Sequence, residues 1–481
     1  MEKKVKTFIE KGGFWVAEGP TRFQYIYLPA RSFARTRKYI RLGWTYIPFV
    51  IKKQYAYQYL KIDETLGIIK NLLKGNKLDR HYNLWKKHLA KFHKYKKKFE
   101  KTEIKNISNK KLADLYREVD SLILSLWDIS LIIEGAGMYA DILARQLAGQ
   151  YHLSLEKANY IINTVGKSPK PSFVKKECLD LLKLALLYRK KSKGFEKRLK
   201  QHQKEYFWIE NNYKRAKVIT AQEFKKRIKN IRKSTAEIKK EIKELEKKDN
   251  IIKIIRKYRL KREDVLLLKK FGRISMWIDE RKIWTLKTNQ LLHVMLHEIA
   301  KRLKLNFDEV SLLFPKEVPR ILTGKKKIPK KPEFKKRENL IGIGYGKQMK
   351  NRLLVGKEAE KLISFLEKIH AREISKELKG TPTWNFGKCK GIVQIVLDIE
   401  KTRFIPGKIL VTSMTRPEFV PSMKKAAAVI TNEGGITCHA AIVSRELKIP
   451  CIIGTKNATR ILKTGSKIEL DSKKGIIKIL K

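Results

Sequence analysis

Apolar positions follow different rhythms along this chain. From about residue 78 to 317 they recur every three or four places, as in NKKLADLYREVDSLILSLWDISLII, the stripe of core-facing helices. Within that stretch, residues 190–262 lose apolar positions, and Lys and Glu alternate at helical spacing. That pattern predicts a long solvent-washed helix or an antiparallel pair of helices. The first 75 or so residues mix Gly with aromatic and β-branched runs (GGFWVAEGP, YIRLGWTYIPFVIKKQYAYQYLK), which predicts strands or irregular packing. A Lys- and Pro-rich break, TGKKKIPKKPEFKKR, covers residues 323–337 and reads as a connecting segment, because proline resists helix continuation and clustered charge resists burial. After it, LIGIGYGKQMKNRLLVG predicts a small hairpin and GKEAEKLISFLEKIHAREISKEL one helix. Past Gly380 the runs GIVQIVLD, KILVTSM, AAVIT, PCIIG, SKIELD and GIIKIL predict short strands, with one helix among them at about residues 437–447.

The expected organisation is multi-domain. A small mixed region (1–76) precedes a mainly α domain with long charged helices (77–321). A linker, hairpin and helix (322–379) lead to a C-terminal α/β domain (380–481).

Composition narrows the function classes. Hydrophobic residues make up 42% of the 481, enough to build cores, so wholesale disorder is excluded. Lys and Arg number 110 against 48 Asp and Glu, a formal +62 that attracts polyanions. The lysines spread along the whole chain rather than gathering in one arm, and no recognition motif stands beside them. Solvated helix faces account for the charge, and nucleic acid remains an expectation of non-specific binding only. The four cysteines (Cys178, Cys389, Cys438, Cys451) lack CxxC spacing, so neither a zinc site nor a disulfide framework is indicated. The opening MEKKVKTFIEKG has no apolar export core, and the most apolar run, residues 122–143, carries Asp128, Glu134 and Asp141. That run reads as a buried helix, and the expectation is a cytoplasmic chain without a membrane partner. His293 and His297, four apart on one helix face, have no partner motif and read as packing or surface residues rather than metal ligands.

The stretch with chemical content is TNEGGITCHAAIVSRELKIPCIIGT, residues 431–455. A strand runs into Gly434 and Gly435, which free the backbone, and then into a helix beginning near Ile436 with His439 in its first turn. Amides at a helix N-terminus suit an anion. A neutral imidazole nitrogen can attack phosphorus and form a phosphoramidate of high transfer potential. Thr437 is placed to orient the ring, and Arg445 to supply positive charge if its side chain reaches the same edge.

This stretch resembles the phosphohistidine, or mobile, domain shared by phosphoenolpyruvate synthase, pyruvate phosphate dikinase, rifampicin phosphotransferase and the first enzyme of the sugar phosphotransferase system. Gly434, Gly435, Thr437, Cys438, His439, Ala440 and Ala441 match the family's Gly-Gly-x-Thr-Ser/Cys-His-Ala-Ala segment, and Ser444, Arg445, Glu446, Ile449, Pro450 and Gly454 extend the match. Upstream, Thr415, Pro417 and Pro421 fit the preceding strand and turn. The segments HQKEYFWIENNY and LHEIAKRLKLNFDEVSLLFPKEV look similar to the helical part of the rifampicin-phosphotransferase-like branch.

The resemblance implies a swivelling β/β/α domain with His439 as the transiently phosphorylated nucleophile, Thr437 and Arg445 as helpers, and Gly434, Gly435 and Cys438 in the phosphate loop. It also implies ATP or phosphoenolpyruvate as donor, Mg2+, and a small-molecule phosphoryl acceptor. Nothing in the first 75 residues is long enough for the family's ATP-grasp domain, no P-loop occurs, and the sequence ends 42 residues after His439. A separate nucleotide-binding chain is therefore expected. A non-catalytic regulatory protein and a non-specific polyanion binder stay open as alternatives.

Overall fold

The computed structural model describes residues 3–247, 249–372, 378–384, 386–399, 401–435 and 438–480. A mainly helical region precedes a C-terminal domain built on a mixed sheet. The helices bury the stripes their sequences draw. Lys77–Glu100 turns Leu78, His81, Trp85, Leu89, Phe92, Tyr95 and Phe99 inward, a three-four spacing that keeps one face apolar. They meet Trp127, Trp277, Trp284 and Phe271 in one large core. Its spine is the 42-residue helix Arg262–Leu303. Among the described residues one stretch, Asn109–Gln150, has the length and hydropathy of a membrane span, and 61% of that window is buried inside the fold. A 3-10 turn at Leu131–Ile133 breaks it into two helices, Asn109–Ser130 and Ala136–Gln150, and the charge of Asp128 is met by Arg35 at 2.9 Å. His293 and His297 pack as read: their rings contact each other and Phe307, and His293 Nδ1 bonds the Tyr25 hydroxyl at 3.1 Å.

The charged stretch 190–262 differs from its reading. It folds as four short helices, Phe195–Tyr206, Ala221–Lys229, Thr235–Glu246 and Ile251–Lys257. The cause is local: Thr220 with Glu223 and Ser234 with Glu237 form capping boxes, and Asn250 caps a third start, so each sequence signal begins a new helix. The long helix lies further on, where apolar residues keep it buried.

Five strands form an antiparallel sheet in the order β1-β3-β2-β4-β5: β1 (Phe14–Pro20), β2 (Tyr46–Lys52), β3 (Tyr55–Lys61), β4 (Asn339–Tyr345) and β5 (Lys350–Val355). The opening region and the hairpin after the Lys/Pro break therefore share one sheet, with Lys52 opposite Asn339 and Tyr46 opposite Tyr345. Gly342 stands opposite Phe49, whose ring fills the space a side chain would need. The helix Lys357–Arg372 packs Leu362, Ile363 and Leu366 on one face, and the helix Phe23–Phe33 packs Phe23 and Tyr27 on the other. The break itself is not wholly solvated: Lys331–Arg337 is a short helix in which Phe334 and Arg337 are buried.

The C-terminal domain is a seven-stranded mixed sheet, ordered β12-β11-β7-β8-β9-β10-β6. Its strands are β6 (Thr381–Pro382), β7 (Lys388–Ile395), β8 (Ile409–Thr412), β9 (Ala428–Thr431), β10 (Cys451–Ile453), β11 (Lys467–Asp471) and β12 (Ile476–Ile479). Strands β7 to β10 run parallel, and the rest pair antiparallel. Strands β8, β9 and β10 are buried along their whole length, with both faces covered, and are apolar at nearly every position. Ile409, Val411, Ala428, Ile430 and Ile452 face one core, while Leu410, Val429, Cys451 and Ile453 face another. Ala440, Ala441 and Val443 of the helix His439–Glu446 complete the second core.

Candidate functional site

The helix begins at His439, three residues later than its sequence suggests, with Cys438 as its N-cap. Cys438 Sγ accepts the Ala441 amide at 3.4 Å, so one of the amides expected to face an anion is turned to sulfur instead. Gly434 takes φ +127°, and a side chain there would strike Cys438 Sγ. Gly435 needs no unusual φ; its requirement is close approach, because an added Cβ would stand 2.7 Å from the Gly137 backbone. Thr437, with Ile436, lies outside the described residues.

The His439 ring bonds Thr415 Oγ1 through Nδ1 at 2.8 Å. Thr415 belongs to the turn after β8, so adjacent parallel strands deliver the two partners. The tautomer with its proton on Nδ1 donates to Thr415 and leaves the lone pair on Nε2. Nε2 is closed off from solvent and has no hydrogen-bond partner among the described residues. Burial, and then the Lys282 ammonium, hold the ring well below the ordinary histidine value, so it is neutral and nucleophilic. Lys282 comes from the middle of the long helix. Burial lowers it to about 8, opposed by the nearby Glu418 carboxyl. The charge acting on His439 is thus Lys282 and not Arg445. Arg445 lines a cleft to which His439 does not contribute. No motif marks Lys282, which stands in the charged run DERK of a helix that carries other charges along its length.

This face of the domain is seated on the rest of the chain. Arg416 Nη1 donates to Pro20 O at 3.0 Å and its guanidinium lies 5.6 Å over the Tyr213 ring. Tyr55 and Ser413 hydroxyls bond at 3.0 Å, and Lys214 pairs with Asp398 at 2.7 Å. A cavity of about 150 Å³, walled by Trp15, Phe33, Phe49, Trp127 and Tyr213, ends at Met414 and Arg416 on either side of Thr415. The Gly435–Gly137 contact makes a specific expectation. A Gly435→Ala methyl meets backbone, which cannot step aside, and overpacking of this kind costs about 1–3 kcal/mol. Small-angle scattering should show a more extended particle than the parent; an unchanged profile would mean that the seat tolerates the methyl.

Glu433, on the loop before Gly434, is buried beside Glu18 of β1: the Glu18 amide donates to its carboxylate, and Asn432 Nδ2 donates to Glu18 at 3.3 Å. Burial first, and then the charge of Glu18, raise Glu433 well above 4.5 despite Arg416 nearby; burial likewise raises Glu18 against the pull of Arg460. Raised carboxyls mean that the seated arrangement holds protons which the separated surfaces release. Seating is therefore firmest below the ordinary glutamate value and weakens as pH climbs through the raised ones. Scattering from pH 5 upward should record expansion in the parent and a flatter response in Glu433→Gln; expansion toward acid would sink this account.

This histidine lies within the part of the chain that known proteins resemble. Residues 404–475 match the family model described as PEP-utilising enzyme, mobile domain. The chain is 47% identical over 121 residues to a probable phosphoenolpyruvate synthase of Archaeoglobus fulgidus, covering 25% of this chain and 15% of that protein. It is 49% identical over 110 residues to phosphoenolpyruvate synthase of Pyrococcus furiosus (22% of this chain, 13% of that protein). To the Escherichia coli phosphoenolpyruvate synthase it is 48% identical over 86 residues (18% and 11%). The match thus spans 15% or less of the length of these three relatives. Among solved structures, a chain of Thermococcus kodakaraensis aconitase X aligns at 25% identity with TM-score 0.19, covering 22% of this chain and all of that one.

Proposed function

We propose that this chain is a phosphotransferase component in which His439 Nε2 carries a phosphoryl group from a donor to a small-molecule acceptor. The observation that carries the reading is the ring's geometry: Nδ1 tied to Thr415, Nε2 unpartnered, and the imidazole held neutral. The Nε2 lone pair forms the bond to phosphorus, the bond from phosphorus to the donor's leaving oxygen breaks, and Nδ1 keeps its proton, donated to Thr415 Oγ1. Lys282 then offsets the new negative charge. In transfer, an acceptor oxygen takes the group and Nε2 regains its lone pair.

In the seated position Nε2 is enclosed, which supports the reading that the C-terminal domain swivels off its seat for loading. The donor is ATP, with Mg2+, on a separate nucleotide-binding chain, or phosphoenolpyruvate. The aromatic cavity beside Thr415 is the candidate acceptor site, and the cytoplasm is the compartment that supplies such donors. The test is incubation with labelled phosphoenolpyruvate or ATP, alone and with candidate ATP-grasp chains. The expected product is acid-labile, alkali-stable phosphate on the peptide holding His439. Absence of label with every donor leaves the regulatory alternative, for which the enclosure of Nε2 speaks.

A further inference from the structure

We propose that the cleft between the C-terminal domain and the helices Ala136–Gln150 and Leu155–Val165 binds a small anion bearing an aromatic ring, of nucleoside-monophosphate size, and that this ligand holds the two parts together. The cleft encloses about 380 Å³, within the range of small-molecule sites. Its cations are Arg145, Arg445, Lys473 and Lys474, against the carboxyls of Asp141 and Glu156. Two buried polar atoms here lack partners among the described residues: Arg445 Nη1, a donor, and Asn159 Oδ1, an acceptor. A buried guanidinium with an unused donor is costly, and an anionic oxygen would satisfy it. Asn159 suits an exocyclic amine or a hydroxyl.

Aromatic surface comes from both walls. Trp384, beside β6, is fixed by its Nε1 bond to Ile449 O at 3.0 Å; Tyr160, on the helix, is 51% exposed. The backbone of the turn that carries the two lysines is also fixed. The Lys473 and Lys474 amides donate to Asp471 Oδ1 at 2.9 and 3.2 Å, and Gly475 packs against the Gly380 carbonyl. A ring between the aromatic groups and a phosphate on the lysines and Arg145 would touch both walls at once. Binding is independent of phosphoryl transfer; the holding role rests on the proposed movement of the domain.

Calorimetry on the full chain at physiological salt, with AMP, ribose 5-phosphate and tripolyphosphate, separates this site from attraction to the overall charge. AMP is expected to bind one to one and about tenfold or more tightly than ribose 5-phosphate, the stacking contribution. Trp384→Leu should weaken AMP about tenfold while leaving tripolyphosphate unaffected, and Trp384→Phe should restore most of the affinity. Lys473→Glu with Lys474→Glu should remove AMP binding, with circular dichroism confirming the fold of each variant. No AMP binding, or AMP affinity unmoved by Trp384→Leu and equalled by ribose 5-phosphate, overturns the site. With AMP bound, scattering of Gly435→Ala should return toward the compact parent; bound AMP with an unchanged profile overturns the holding role. Failure of His439 to take label counts against the carrier reading and leaves the calorimetric result standing.

Discussion

His439→Ala is expected to take up less than about one-hundredth of the parent's phosphoryl label, because no other group in the site offers an unpartnered nitrogen lone pair held neutral by its surroundings. The fold should survive. Position 439 is the first residue of a helix, where alanine is well tolerated, and among the described residues the ring's hydrogen bond is to Thr415. The unfolding midpoint checks this directly. Thr415→Val separates orientation from chemistry: it keeps the nucleophile but frees the tautomer, so labelling should slow without vanishing. Full labelling of His439→Ala would place the phosphoryl group elsewhere and end the assignment.

Arg337→Ala is expected to destabilise the chain by about 3–5 kcal/mol, as measured by denaturant unfolding, because it strips a buried carboxylate of its main partner. Arg337 donates to both Glu317 oxygens at 2.7 and 3.1 Å and to Leu312 O at 3.2 Å, and lies 4.5 Å over the Phe314 ring. Burial pushes the Glu317 carboxyl up, but hydrogen bonds from Arg337, Lys326 and the Phe314 amide leave it lowered overall. That stabilisation is present above the ordinary glutamate value and is lost as pH falls through the lowered one. Lys326 and the Phe314 amide remain in the variant, which places the loss toward the lower end of the range. Glu317→Gln combined with Arg337→Ala should cost less than the two changes summed. A loss under about 1 kcal/mol for Arg337→Ala would show the pair to be as weak as a surface one.

Arg337 also shows where sequence reading fails. Its neighbours are Lys and Pro, and charge density alone argues for solvent; only the tertiary position of Glu317 draws it inside. The short helices of 190–262 are marked locally, since their capping boxes stand in the sequence as Thr-x-x-Glu and Ser-x-x-Glu, but the alternating charge around them has the spacing of one continuous helix. The strands beyond Gly380 were legible because each is a short apolar run between turn residues. The pairing of β2 with β4 was not, since strand partners leave no local mark. The site divides in the same way. His439 and Gly434 sit in one contiguous motif, whereas Thr415 bonds the ring from another strand turn and the charge of Lys282 acts on it from the helical region. Gly435 reads in the sequence as a backbone-freeing position, whereas its requirement is close approach to Gly137, 298 positions away.

The five-stranded sheet carries a consequence for biosynthesis. Strands β1 to β3 are complete by Lys61, yet the neighbour of β2 begins at Asn339. At ribosomal speeds of about 5–20 residues per second, the open edge of β2 waits roughly 15–60 s for its partner to emerge. Throughout that interval it presents an unpaired row of amides and carbonyls to other nascent chains. Chaperone capture of early intermediates, released once the hairpin is translated, is the cellular behaviour this topology calls for.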